Sequence, residues 1–264
     1  AWDCHLVNIS RNAYRQGTTP PWSTETYGLV AGVSPDLAGD FQLDLVPWQI
    51  PNVRLRYSQP RTGVATGAWR APAHLANAFA VETLLDEIAQ LTSRSAVDLR
   101  LELYGAASAL SITGENPTPY NPDRMAAVLR LAVDRSGFGR RPPEGRVRGL
   151  AAHYTFGSYC AQVVELSLDA AAAPPAAGTA ARQVTIHRVT CALDCGIVVN
   201  RSEVEAQAEG GIIDGLGHAF FGEITINRGH AVEGNFDRYR LIKHRKAPRA
   251  IDVHVMPSTI RPTR

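Results

Sequence analysis

The run Val189-Thr190-Cys191-Ala192-Leu193-Asp194-Cys195-Gly196-Ile197-Val198-Val199-Asn200 changes character at Asp194. Before it, from Gln183 to Leu193, the residues are apolar and rich in β-branched side chains, which reads as a strand. At Asn200, a good N-cap residue, a longer helix begins through Val204, Ala208, Ile212 and Leu216. Gly210-Gly211 and Gly215-Leu216-Gly217 predict that this helix is broken.

Outward from this strand-to-helix step, strands and helices are mixed. Gly149 to Ala152 and Tyr159 to Leu168 are strand-like. The low-complexity insert Asp169 to Arg182 reads as a mobile hairpin loop between two antiparallel strands. Downstream, strands are expected around Glu223 to Ile226 and from Ile251 to Met256. Upstream, Asn77 to Leu91 is an amphipathic helix. Val81, Leu84, Leu85, Ile88 and Leu91 share one face, with Glu82, Asp86 and Glu87 facing away. A second helix runs from Ala96 to Tyr104 and stops at Gly105. Asn121-Pro122 opens a third, with Met125, Val128, Leu129 and Ala132 as its apolar set and Ser136-Gly137 as its end. The first seventy residues are rich in Pro, Gly, Thr and Trp; Phe41 to Val46 and Val53 to Tyr57 alternate with period two, as strands do. Irregular mixing of strands and helices argues an α+β fold with mixed sheets and packed helices. The expected division is 1–145, strand-rich and then helical, and 146–264, with strands, the glycine-rich helix and closing strands.

The 264 residues carry 27 Lys and Arg against 25 Asp and Glu, and a formal charge of +2 gives no footprint for nucleic acid. At 45% hydrophobic and 20% charged, the chain can bury a sizeable core and is not of disordered composition. No stretch approaches the ~18 uncharged apolar residues of a membrane span. Ala1-Trp2-Asp3-Cys4 does not read as a signal peptide, so the expectation is a processed or excised piece. Cys4, Cys160, Cys191 and Cys195 are too few for a disulfide framework, and no second pair sits at zinc-site spacing; packed thiols are the simpler reading.

Several chemistries fit poorly. Ser158 in Phe156-Gly157-Ser158-Tyr159 lacks the second glycine of a nucleophile elbow, which leaves a hydrolase using Ser158 with His153 and Asp194 as a weak alternative. Eight histidines without H-E-x-x-H or H-x-H spacing argue against a protein-ligated catalytic metal, and there is no P-loop. Gly210 to Gly215 lies within a helix pattern rather than just after a strand, so it is a poor dinucleotide fingerprint. Two readings of it stay open. Small residues on one helical face, with the Gln207 amide one turn earlier, could admit a bulky cofactor, or the helix is simply notched for packing. Trp69-Arg70 at a helix entrance could serve an anionic or oxo-bearing ligand, or Arg70 could merely cap a loop.

Taken in order, these strings resemble the molybdopterin-binding large subunit of the xanthine oxidase family, nearest to its isoquinoline 1-oxidoreductase beta and bacterial aldehyde dehydrogenase branch. The resemblance rests on Ile50 to Val53, Thr62 through Trp69-Arg70, Asn77 to Glu87, Arg148 to His153 with Phe156 to Tyr159, and above all Val189 to Asn200 continuing through Val204 to Leu216. It implies that Arg70, with Trp69, lies beside the molybdenum group and substrate. It also implies that Gln207, with Gly210 and Gly211, meets the pterin, and that Phe156 lines the substrate pocket. Asp194, Cys195 and Asn200 would be structural. The implied activity is oxidation of an aldehyde or N-heteroaromatic substrate with oxygen from water, on a molybdopterin in its cytosine dinucleotide form. Electrons would leave to an iron–sulfur small subunit, because no cluster-type cysteine spacing occurs here, with a cytochrome c subunit as a further partner. Two glycine-rich cofactor loops of the family are absent, and its general base, a Glu in a G-E-P string, is expected just beyond Arg264. The chain would then be a C-terminal-half portion of a large subunit, completed by other segments or chains. A periplasmic location follows from the same branch, with the cytoplasm as the alternative. The rival from another class is a non-catalytic paralogue or assembly module of the same fold.

Overall fold

The computed structural model describes residues 2–7, 53–58, 70–71, 74–105, 121–168 and 184–263, with no side-chain description at 2, 4, 6 and 53–58. The expected strand at Phe41 to Val46, the insert Asp169 to Arg182 and Trp69 lie outside these residues. The chain divides into two compact units: residues 1–127, 152–159 and 263–264, and residues 128–151 and 160–262.

In the first unit, β1 (Trp2–Val7) pairs in parallel with β2 (Val53–Ser58), from Trp2 opposite Val53 to Val7 opposite Ser58. Helix α1 (His74–Leu91) begins three residues before the sequence expectation. It closes through Ser93, whose left-handed φ of 54° lets the Arg94 amide reach the Ala89 carbonyl at 2.8 Å. Helix α2 (Ala96–Tyr104) is capped by Ser95, which accepts from the Asp98 amide at 3.2 Å, and stops at Gly105 as expected. Helix α3 (Pro122–Ser136) starts behind Asn121, whose Oδ1 accepts from the amides of Asp123 (2.8 Å) and Arg124 (3.2 Å). Val81, Leu85 and Ala89 of α1 are buried with Leu99 of α2, while Leu84 and Leu91 are exposed.

One expectation is overturned here. Glu82 does not face solvent. It is buried, and its Oε2 accepts from Arg100 Nε and from the Ala152 amide, each at 2.9 Å. Arg100 is 0% exposed and also donates to the carbonyls of Ala96 (3.0 Å) and Glu82 (3.1 Å), and pairs with Asp86 at 2.8 Å. Hydrophobic periodicity assigns charge to the outside of a helix; a buried guanidinium with four partners reverses that assignment at one position.

A four-stranded sheet is built from β3 (Val147–Thr155), β4 (Ser158–Leu168), β5 (Val184–Asp194) and β8 (Ile251–Val255), side by side in that order. β5 and β8 are parallel, with Val189 opposite Ile251 and Leu193 opposite Val255. Between them run helix α4 (Arg201–Phe221) and the two-residue strands β6 (Ile226–Asn227) and β7 (His230–Ala231). Ile212 of α4 is buried against Ile186, Val189 and Cys191 of β5, with Leu216, Phe220 and Val253 packed around them. The thiols form part of this core: Cys160 and Cys191 sit 3.7 Å apart, sulfur to sulfur, and that contact together with burial pushes the Cys191 thiol up. The predicted break in α4 does not occur. The helix runs without interruption from Arg201 to Phe221, because Ile212, Leu216 and Phe220 pack on the sheet and outweigh the ~1 kcal/mol each glycine costs.

Candidate functional site

The connection from β5 to α4 is pinned on both sides. Asp194 Oδ1 accepts from the Gly196 amide at 3.1 Å, and Gly196 takes φ +78°. A Cβ there would lie 2.4 Å from the Arg261 carbonyl oxygen and 2.9 Å from that of Ile260, so only glycine fits. The next amide, Ile197, donates to Ile260 at 2.8 Å, and Met256 donates to Leu193 at 2.8 Å. Asn200 then caps α4 by accepting from Glu203 at 3.4 Å. Asp194 and Asn200 are thus structural, in line with what the resemblance implies, and together they fix where α4 starts.

Along α4, Gln207 is exposed, and Gly210 and Gly211 follow three and four residues later on the same face. Among the described residues, a Cβ built on Gly210, Gly211 or Gly215 meets nothing within 4 Å, which leaves the helix backbone open to close approach from them. Of the two readings left by the sequence, packing at the notch finds no filling side chain among the described residues. Gly217 differs: its Cβ would meet the Ile242 side chain at 3.4 Å.

In the first unit, Arg70 is exposed and is followed by Ala71 at φ +55°, whose carbonyl accepts from the Leu75 amide at 3.3 Å in the entry to α1. The β3–β4 turn consists of Phe156 (φ +50°) and Gly157 (φ +86°), the signature of a two-residue type I′ hairpin. The Phe156 ring lies 5.1 Å from that of His74, at 57°, and His74 Nδ1 is 3.2 Å from His153 Nε2. The structure therefore brings Phe156 onto the residue four places after Arg70. Gln207, Gly210 and Gly211 belong to the other unit.

His74 had no role in the sequence reading, and His153 entered it only in the weak hydrolase alternative and as the end of a string that carried the resemblance. The available signal was position: His74 lies four residues after Arg70, and His153 ends Arg148 to His153. The weak hydrolase alternative finds no assembled triad. Ser158 Oγ bonds Thr263 Oγ1 at 2.5 Å, His153 faces His74, and Asp194 holds Gly196. Among the described residues no three His, Cys, Asp or Glu side chains converge as metal ligands. A hollow of about 510 Å³ at the end of α3 is lined by Arg135, Arg140, Arg141 and Arg148. Arg148 is already committed there to Glu165 (2.9 Å) and the Gly137 carbonyl (2.7 Å).

Residues 131–248 match the model of a molybdopterin cofactor-binding domain. The chain is 28% identical over 214 residues to the isoquinoline 1-oxidoreductase subunit beta of Brevundimonas diminuta, covering 80% of this chain and 24% of that protein. It is 28% identical over 186 residues to a membrane-bound aldehyde dehydrogenase (pyrroloquinoline-quinone) of Gluconacetobacter polyoxogenes, covering 70% of this chain and 23% of that one. It spans about a quarter of the length of these curated relatives. In fold it is similar to the aldehyde oxidoreductase of Desulfovibrio desulfuricans, with a TM-score of 0.62 and 12% identity, over 99% of this chain and 42% of that one. These matches give residues 131–248, which include the strand-to-helix run, the likeness of a molybdopterin cofactor-binding domain, and give the chain a fold similar to that of an aldehyde oxidoreductase.

Proposed function

We propose that this chain supplies cofactor- and substrate-facing residues of a molybdenum hydroxylase that oxidises an aldehyde or N-heteroaromatic substrate with oxygen from water. The observation that carries the reading is the open face of α4, where Gln207 stands beside bare backbone at Gly210 and Gly211, within the segment that matches the cofactor-binding domain. The donor set suits a pterin. A carboxamide offers one acceptor and two donors to a heterocycle edge, and two glycines let a flat ring system lie against the helix. When bound, the molybdenum group supplies the redox chemistry at the substrate carbon. The chain's own share is binding and orientation: Gln207 fixes the pterin edge, Arg70 presents a planar cationic fork to an oxygen-bearing group, and Phe156 forms an apolar wall. The cofactor is proposed in its cytosine dinucleotide form, and the electrons pass to an iron–sulfur subunit, with a cytochrome c subunit beyond it. The general base is proposed to lie outside these 264 residues, and the compartment to be the periplasm.

The test is Gln207→Ala in the complete subunit. Losing one hydrogen bond to a buried polar ligand costs about 1–3 kcal/mol, so molybdenum content of the purified variant falls while its circular dichroism stays that of the parent. Unchanged molybdenum overturns the role of Gln207. A parent subunit that carries no molybdenum at all favours the assembly-module reading instead.

A further inference from the structure

Two nucleophilic side chains of the second unit stand in contact and take no part in the proposed chemistry. Cys160 lies on β4 and Cys191 on β5, which are neighbours in the four-stranded sheet. Their sulfurs are 3.7 Å apart, although the residues are 31 apart in sequence. Ser167 of β4 also meets His187 of β5, Oγ to Nε2 at 2.8 Å. The two contacts run in opposite senses along the strands, so the strands are antiparallel. Opposed Cα atoms in such a ladder lie about 4.5–5.5 Å apart, within the ~4.4–6.8 Å that a disulfide spans. Rotation about the two Cα–Cβ bonds therefore brings the sulfurs to bonding distance while the strands stay in place.

The two thiols are not equivalent. Cys160 is half-buried, whereas Cys191 is 1% exposed in the core it forms with Ile186, Val189 and Ile212. An oxidant reaches Cys160 first. The hydrogen bond with Cys191 holds the Cys160 thiol below its ordinary value; burial opposes this, and the Gln162 amide, 3.6 Å from the sulfur, adds to it. The thiolate is the form that attacks a disulfide.

We infer that Cys160 and Cys191 are a dithiol pair that a small disulfide, such as oxidised glutathione, converts to a cross-link between β4 and β5. Cys160 attacks one glutathione sulfur as the thiolate. The glutathione S–S bond breaks, and one glutathione leaves as a thiolate that takes up the proton Cys160 lost. Capping Cys160 removes the hydrogen bond and the charge that, together with burial, hold Cys191 protonated. Cys191 then gives up its proton and attacks the Cys160 sulfur, and the second glutathione leaves with that proton. Two protein thiols are oxidised to one disulfide, and one glutathione disulfide is reduced to two thiols. The inference is independent of the proposed activity, since Cys160, Gln162 and Cys191 all belong to the second unit and none is among the residues assigned to cofactor or substrate.

The experiment treats the complete subunit with oxidised glutathione, alkylates it under denaturing conditions and digests it with trypsin. Cleavage after Arg148, Arg182, Arg188 and Arg201 separates the Cys160 peptide from the one that holds Cys191 and Cys195. The expected product is these two peptides joined, with fragmentation placing the bond on Cys191. Two fewer thiols per subunit are alkylated, and a phosphine reductant restores both. Cys191→Ala stops at a glutathione adduct on Cys160, and Cys160→Ser leaves Cys191 unmodified. Cys160 and Cys191 both still alkylated after treatment overturn the inference, as does a bond from Cys160 to Cys195 or Cys4 instead. A lasting glutathione adduct on Cys160 in the parent also overturns it, because Cys191 then does not resolve the intermediate. Should Cys191→Ala fail to fold, the peptide map of the parent alone decides.

Discussion

Removing the guanidinium at Arg100 tests the buried ion pair at the base of the first unit. In Arg100→Leu the three residues it serves recover at unequal cost. The Asp86 side chain is 48% exposed and returns to water, and the Ala96 carbonyl stays in its helix. Glu82 cannot follow. Its side chain is 9% exposed and, among the described residues, keeps the Ala152 amide alone as a partner. An orphaned buried charge of this kind costs about 3–5 kcal/mol. At ~1.4 kcal/mol per tenfold, that corresponds to roughly two to three and a half orders of magnitude in hydrogen-exchange protection at the Ala152 amide. Burial already pushes the Glu82 carboxyl above its ordinary value, with Arg100 and the Ala152 amide pulling it back down. Without Arg100 it rises further. A folded-state pKa above the unfolded one stabilises below the unfolded value and loses that contribution as pH rises through the folded value. The variant is therefore closer to the parent at pH 5 than at pH 8. Arg100→Leu combined with Glu82→Leu recovers much of the loss, because no charge is then left alone. Protection at Ala152 reduced by less than tenfold, or a deficit no smaller at pH 5, refutes the reasoning.

Gly196→Ala forces a side chain into a left-handed backbone, worth about 1–2 kcal/mol, and drives its Cβ against the Arg261 and Ile260 carbonyls. Its Tm falls by at least several degrees at ~2–4 °C per kcal/mol; an unchanged or higher Tm in a thermal melt contradicts the pinned connection. Burial tends to raise the Glu165 carboxyl, but the hydrogen bonds and charges of Arg146 and Arg148 outweigh it and hold the carboxyl below its ordinary range. Its contribution is thus present above the unfolded value and lost as pH falls through the folded one. Glu165→Gln flattens the acid limb of the stability curve, and an acid limb identical to the parent's contradicts the pairing.

Local signals were readable where local chemistry decides the outcome. Asn121-Pro122, Ser136-Gly137, Gly105 and Asn200 mark element ends because a cap or a stop depends on two or three neighbouring residues. The uninterrupted α4 was not readable, because what holds Gly210 and Gly211 helical is packing of Ile212 and Phe220 on a sheet. Glu82 was misplaced for a related reason: its partners, Arg100 and Ala152, lie 18 and 70 residues away. At the candidate site, local chemistry raised Arg70 and Gln207 as open alternatives, and resemblance gave their roles and Phe156. The His74–His153 contact spans 79 residues, and no periodicity or spacing reports such a meeting.

The parallel pairing of β5 with β8 also sets an order of events on the ribosome. Val189 finds its partner Ile251 only after about 60 further residues have been made, some 3–12 s at ~5–20 residues per second. During that interval α4 can already cover Ile186 and Cys191, but one edge of β5 has no neighbour. A nascent chain stalled between Phe221 and Ala250 would display an open apolar strand edge. That window is where a holding chaperone would protect this chain and where a translational pause would be most costly.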